Sequence, residues 1–292
     1  MIITKKIYRV FINFLRASRK KKKVVAVLRL KGVISPSFGG FSRSPSLSFE
    51  TVKKDIDKAF AHKGIKAVVL AINSPGGSAV QAELISNYIR SMSQEKSIPV
   101  YSFLEDVAAS GGYWLACTSD EIYASENSIV GSIGVIAAGF GFTEAIKKLG
   151  VERRIITQGK NKSVYDPFLP VKESDKKIVE AVQKDIYESF KRFVLARRGS
   201  KLKLAKNKEK LFSGEFWSGR VGVELGLIDN IGNFYQVMKQ KYGDDVEFKF
   251  VEKEESWLGK KLKGMMGGSS TPSVNEIISQ VKEQLQLEKF SL

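Results

Sequence analysis

The chain has one histidine, one cysteine and no acidic residue before Glu50. A single cysteine, Cys117, can neither close an intrachain disulfide nor build a cysteine metal cluster. The lone histidine, His62, ends a helical pattern at Ala-Phe-Ala-His-Lys-Gly, where the helix dipole favours an imidazole as a structural group. A structural His62 excludes a Ser-His-Asp triad and any histidine-based metal site, so a serine nucleophile needs another base. Long apolar runs are missing too. The uncharged run 10–15 is far short of the ~20 residues that span a bilayer, and no small-residue cleavage site of a signal peptide follows it. Gly131, Gly134, Gly139 and Gly141 turn the uncharged stretch 127–143 toward a buried strand and loop rather than a membrane span.

What is present is a globular composition with a basic bias. At 43% hydrophobic and 27% charged residues the chain can bury a sizeable core, which excludes wholesale disorder. The formal net charge is +17, and much of that excess lies at the start of the chain. There Ile3, Ile7, Val10, Phe11 and Phe14 recur at helical spacing opposite Lys5, Lys6, Arg9, Asn13 and Arg16, ahead of a basic cluster at 19–23. This pattern predicts an amphipathic helix on an anionic membrane surface. From about residue 252 the chain turns basic and Met- and Gly-rich, and 274–287 has the periodicity of one more amphipathic helix. The expected organisation is a membrane-surface segment 1–23, a core domain 24–251, and a linker with a terminal helix at 252–292.

Within the core domain, strand and helix patterns alternate. Apolar runs at 24–30, 66–72 and 98–104 read as buried parallel strands. Helical periodicity marks 49–62, the segment carrying Val80 to Met92, 113–118, 142–149, 174–198, 217–226 and 234–242. Further short strands are expected at 121–124, 129–136, 151–157 and 246–251. Repeated strand–helix–strand units predict an α/β fold.

Two glycine-bearing turns follow two successive strands: Ser74-Pro75-Gly76-Gly77-Ser78 and Ala108-Ala109-Ser110-Gly111-Gly112. Sites in such folds form at the carboxyl ends of strands. A serine between a strand and a helix, flanked by small residues, is where a nucleophile is presented beside free helix N–H groups. The competing reading of Ser110 is a plain helix N-cap. If the two strands are neighbours, the N–H groups of Gly77 and Gly111 converge near the Ser110 hydroxyl, and each donor to a developing oxyanion is worth roughly 3 kcal/mol. The Ser-Pro-Gly-Gly turn lacks the GK[ST] ending of a nucleotide P-loop, which argues against ATP. With no imidazole to serve, the base is expected to be a lysine, desolvated or set beside other donors. Gln158-Gly159-Lys160-Asn161-Lys162-Ser163 offers two candidates, and the residues alone do not choose between Lys160 and Lys162.

Five motifs in order resemble the signal peptide peptidase A family, the S49 group of Ser-Lys peptidases, whose core is similar to that of the Clp protease and the crotonases. They are Asn73 to Gly77, Ala108 to Tyr113, Gly131-Ser132-Ile133-Gly134-Val135, Gly159 to Ser163, and Phe212-Ser213-Gly214 through Gly219-Arg220-Val221 to Asp229. The resemblance covers roughly 24–250 and implies a Clp protease/crotonase-like fold. It implies Ser110 as nucleophile, Lys162 as general base, Ser132 as the group that orients the lysine, and Gly77 and Gly111 as the oxyanion hole. It further implies no cofactor or metal, peptide substrates of signal-peptide-like or membrane-derived type, and ring- or dome-shaped homo-oligomers that share active sites between subunits. The family's usual transmembrane anchor is not found in the sequence, so peripheral attachment at the cytoplasmic side of a bacterial inner membrane is the expected location. Two rivals stand beside this reading. A crotonase-like acyl-CoA hydratase or hydrolase would need an acidic pair beside the glycine turns, and none is obvious. A non-enzymatic basic scaffold binding membrane or nucleic acid would use the +17 charge, yet no nucleic-acid-binding motif is present and no nucleic acid is expected as partner.

Overall fold

The computed structural model describes residues 23–36 and 47–251. All but Lys23 of the expected surface segment 1–23, part of the loop after β1 (37–46), and the C-terminal linker and helix at 252–292 lie outside the described residues. In chain order the elements are β1 (Val24–Lys31), α1 (Phe49–Ala61), β2 (Ile65–Ser74), α2 (Ala79–Lys96), β3 (Val100–Ala109) and α3 (Gly111–Ala116). Next come β4 (Glu121–Ala124), β5 (Ile129–Gly131), α4 (Thr143–Lys148), α5 (Glu173–Arg198) and α6 (Leu204–Leu211). The order closes with β6 (Phe216–Ser218), α7 (Gly219–Leu225), β7 (Asn230–Ile231), α8 (Phe234–Tyr242) and β8 (Glu247–Phe250).

The strands form one sheet in the order β6-β5-β3-β2-β1-β8, with β4 paired to β3 and β7 paired to β4. All described pairings are parallel except β5 with β6. Parallel strands need crossovers, and the crossovers cover both faces, which is why β1, β2 and β3 read as near-continuous apolar runs. Side-chain alternation sorts them. Leu28 and Leu30 of β1 and Leu70 and Ile72 of β2 join a core with Ile56 of α1, Ile85 and Ile89 of α2 and Phe190 of α5. Val25, Val27, Val69 and Ala71 face the other way, onto Val237 and Met238 of α8. Helix starts follow local chemistry. Ser48 and Thr51 form a capping box before α1, and Ser78 caps α2 by accepting from the Gln81 N–H. No helix among the described residues is long and apolar enough to cross a membrane.

The structure departs from the sequence reading after β5. The strand expected at 129–136 stops at Gly131, residues 136–142 are exposed instead of forming a buried strand and loop, and 151–157 is not a strand. Gly131 and Ser132 lie at φ 105° and 53°, outside the extended range, so the strand cannot continue through them. The flank of β5 away from β3 is already closed by antiparallel β6, which leaves no parallel neighbour there. Helix α5 forms as expected, but of the apolar stripe its periodicity points inward (Ile178, Val182, Ile186, Phe190, Phe193 and Val194) only Phe190 and Val194 are buried, while Val182 stands 55% exposed.

Candidate active site

The two glycine turns do meet. In the β2–β3 ladder Ser74 is opposite Ala108, so both turns leave the same edge of the sheet side by side. The register slips just before this point, from Ile72 opposite Leu104, and Asn73 bridges the slip by donating from its amide to Asp106 at 2.5 Å. The turns interlock at backbone distance. A Cβ on Gly76 would lie 2.7 Å from the Gly111 nitrogen and 2.8 Å from the Ser110 Cβ, and one on Gly112 would lie 2.3 Å from the Ser74 oxygen. Ile34 clamps the first turn from the side, donating to the Gly76 carbonyl and accepting from the Ser78 N–H, each at 2.8 Å.

Ser110 stands at the tip of the second turn with φ 53° and ψ −122°. A residue with a Cβ holds that backbone only where its surroundings impose it, and such strain concentrates at functional sites. Its N–H donates to the Gly131 carbonyl at 2.8 Å and its carbonyl accepts from the Trp114 N–H at 3.0 Å, which fixes the turn from both ends. Its side chain makes no cap hydrogen bond to α3, so the N-cap reading of this serine is not what the structure contains. The N–H groups of Gly77 and Gly111 have no acceptor among the described residues. They lie close together, since a Cβ on Gly111 would be 3.4 Å from the Gly77 nitrogen.

These groups open into one cavity of about 790 Å³, lined by Ser110, Gly111, Gly77 and Ser132 on the sheet side and by Trp114, Tyr187, Phe190 and Phe212 on the other. Ser132, like Ser110, holds a positive φ of 53°, and its N–H donates to the Glu215 carbonyl at 2.7 Å. The apolar wall is built by stacking: the Trp114 ring lies 4.8 Å from that of Phe190 and 5.2 Å from that of Phe193. The α5 stripe was legible as a core face. That it also walls the site was not, because the same periodicity serves both purposes.

Behind α3 lies a buried polar cluster. The Tyr113 hydroxyl donates to the Leu227 carbonyl at 2.7 Å, and Arg198, 1% exposed, pairs with Asp229 at 2.6 Å while donating to the Gly226 carbonyl. Burial alone raises the Asp229 pKa, but hydrogen bonds from Lys201 and the Ile122 N–H, with the Arg198 charge, outweigh it and hold the carboxyl below its usual range. Burial pushes the Cys117 thiol up to about 12, so it stays protonated and inert at neutral pH. His62 is the C-cap of α1, just before β2 begins. The ten residues of β2 rise about 30 Å, which puts the one imidazole at the opposite edge of the sheet from Ser110.

The structure thus brings Ser110, Ser132, Gly77 and Gly111 together and leaves both candidate lysines out; the lysine that lines the cavity is Lys184 of α5, which the sequence reading did not single out. Lys160 and Lys162 are exposed on a turn at 159–165, and neither lines the cavity of its own chain. That turn belongs to an arm, 136–171, on which Ile136, Phe140, Leu149 and Ile156 are largely exposed.

Residues 92–246 match Peptidase family S49. Over 260 residues the chain is 44% identical to a Brucella melitensis protein named Na(+)/H(+) antiporter NhaA, covering 88% of this chain and 35% of that protein. The chain therefore spans about a third of that longer relative, 35% of its length. It is 30% identical over 268 residues to a signal peptide peptidase SppA-type protein of Enterococcus faecium, covering 88% of this chain and 76% of that one. It is 32% identical over 219 residues to Protease 4 of Haemophilus influenzae, covering 74% of this chain and 34% of that protein. Among solved structures, a 1510-N membrane-bound stomatin-specific protease shares the fold with a TM-score of 0.50 and 15% identity, over 80% of this chain and 99% of that one.

Proposed function

The chain belongs to serine peptidase family S49, and on that premise we propose that it is an endopeptidase working through a Ser110–Lys162 dyad. The observation that carries this reading is the backbone of Ser110, held at φ 53° beside two N–H groups without acceptors. The Ser110 hydroxyl attacks the scissile carbonyl carbon and passes its proton to the Lys162 amine. The carbonyl oxygen becomes an oxyanion held by the Gly77 and Gly111 N–H groups. Collapse expels the amine product, which takes the proton from Lys162 and leaves an acyl-Ser110 ester. Water, deprotonated by the same amine, then hydrolyses the ester and regenerates the serine. Ser132, on the cavity wall, accepts from the lysine amine and orients it.

Lys162 reaches Ser110 in this reading from a neighbouring copy. Support comes from the arm that carries it, which projects Phe140 and Ile156 at 82% and 99% exposure and needs a surface to cover them. An amine moved from solvent against the aromatic wall of the cavity is favoured in its neutral form, which is what a base requires. Substrates of signal-peptide-like or membrane-derived type suit the aromatic wall of Trp114, Tyr187, Phe190 and Phe212. Attachment to the cytoplasmic face of the membrane through the basic segment 1–23 completes the proposal, and the match within a longer polypeptide named for antiport is compatible with work at a membrane.

The test is complementation between inactive variants. Ser110→Ala and Lys162→Ala are each expected to abolish peptide hydrolysis, while Lys160→Ala retains it. Mixing Ser110→Ala with Lys162→Ala during assembly should restore part of the activity, because some shared sites then contain both native groups. Full activity in purified Ser110→Ala, or no recovery in a mixture that demonstrably co-assembles, overturns the dyad or the sharing respectively.

A further inference from the structure

Lys162 sits on a turn whose two flanks are tied together by one carboxylate. We propose that the Arg153–Asp166 pair is a positioning device for Lys162: it fixes where the amine is presented without itself touching substrate. This rests on the reading of Lys162 as the general base.

The geometry is specific. Asp166 Oδ2 accepts from Arg153 Nη2 at 3.0 Å, and Oδ1 accepts from the Phe168 N–H at 2.9 Å across Pro167. The Arg153 guanidinium stands 5.7 Å from the centre of the Phe168 ring. Phe168 in turn meets Phe142 at 5.6 Å, and the Phe142 N–H donates to the Pro167 carbonyl at 2.6 Å. One carboxylate thus joins the segment entering the loop to the turn leaving it, and Pro167 and Phe168 carry that turn onto the stem at Phe142. The Asp166 side chain is only 9% exposed although the arm around it is open, and that contrast argues against a casual surface ion pair. The Phe168 N–H first, and Arg153 second, hold its carboxyl below the usual range, so the clamp stays charged at neutral pH.

Inside the clamp the chain is shaped rather than slack. Gly159 and Tyr165 adopt positive φ values of 98° and 56°, the Lys162 N–H donates to the Gly159 carbonyl at 3.1 Å, and the Tyr165 N–H reaches buried Asp175 at 3.4 Å. A pair whose arginine is half exposed adds little stability. Its consequence here is geometric, because pinning 153 to 166 removes the freedom of the loop between them. A reacting group displaced by about 1 Å can lose on the order of a hundredfold in rate.

The experiment compares Asp166→Ala, Asp166→Asn, Arg153→Met and Arg153→Lys in the full chain. It measures kcat, KM, thermal midpoint and sedimentation, with Lys162→Ala alongside. Asp166→Ala is expected to lower kcat by roughly tenfold to a hundredfold with KM within about twofold and unchanged assembly. Asp166→Asn, which keeps an acceptor for the Phe168 N–H, should lose less, and Arg153→Lys should recover most of what Arg153→Met loses. Native-like kcat in both Asp166→Ala and Arg153→Met, with Lys162→Ala inactive, overturns the clamp and leaves the dyad standing. A kcat loss that vanishes at higher protein concentration, or that follows a drop in thermal midpoint in the solvent-exposed Arg153→Met, also overturns it. An active Lys162→Ala removes the dyad and this inference together.

Discussion

A Cβ added to Gly77 would sit 2.1 Å from the Ile34 carbonyl oxygen, whereas one added to Gly139, Gly141 or Gly150 would meet nothing within 4 Å. The first position is on the interlocked sheet edge and the other three are on the arm. At the edge, backbone packs on backbone, and the strained serine is held by neighbours that leave it no alternative. On the arm, large apolar side chains face outward, and Lys162, the proposed base, is carried on a turn flanked by the Arg153–Asp166 pair. The edge is packed within one chain, whereas Ile136, Phe140, Leu149 and Ile156 of the arm are left exposed. That division suits the proposed site assembled from two copies, with the proposed nucleophile and oxyanion hole on the rigid side and the proposed base on the other.

The comparison is broken or sharpened by substitution on each side. The largest effect is expected at the edge. Gly77→Ala must adopt φ 135° and displace Ile34, so the oxyanion donor shifts, with an expected loss of roughly 10²–10³ in kcat. Activity close to native would show that this N–H is not part of the hole. An effect on stability rather than on rate is expected behind the edge, at Asp229. Asp229→Asn leaves the buried Arg198 charge without its counter-ion, at a cost on the order of 3–5 kcal/mol at neutral pH. Because the native carboxyl titrates below its usual range, its contribution is fully present above the unfolded value near 4 and is lost as pH falls through the lower folded value. Urea denaturation at pH 7 and pH 3 should therefore show a gap between native and variant that narrows in acid; a constant gap contradicts the assignment. The smallest effect on the single chain is expected on the arm. Ile156 is 99% exposed, so Ile156→Ser should change monomer stability by less than about 0.5 kcal/mol. Sedimentation should nevertheless shift toward smaller species, and an unchanged oligomer would mean the arm's apolar side chains are merely solvated.

Much of this was legible before any coordinates. β1, β2 and β3 were readable because a strand covered on both faces must be apolar throughout, and Ser110, Gly76 and Gly77 because few residue types tolerate the turns they occupy. The segment after Gly131 was misread. Its uncharged, glycine-containing composition matches a buried strand as well as it matches an exposed arm, and burial depends on what lies alongside. Nothing local marked Phe212 or Tyr187 as cavity wall, since a side chain facing core and one facing a cleft within the core obey the same spacing.

The amino-acid order by itself determined the alternation of strands and helices, the serine between small residues, and the single histidine at the end of a helical pattern. These follow from period, backbone freedom and count, all of which are local. Only the tertiary structure decided that Ser74 lies opposite Ala108, so that two turns 36 residues apart, at Ser74 and Ser110, press together and free two N–H groups. It alone decided that Lys162 stands apart from the cavity of its own chain. Register and docking are set by contacts between segments remote in sequence, and no local pattern encodes which remote segment arrives.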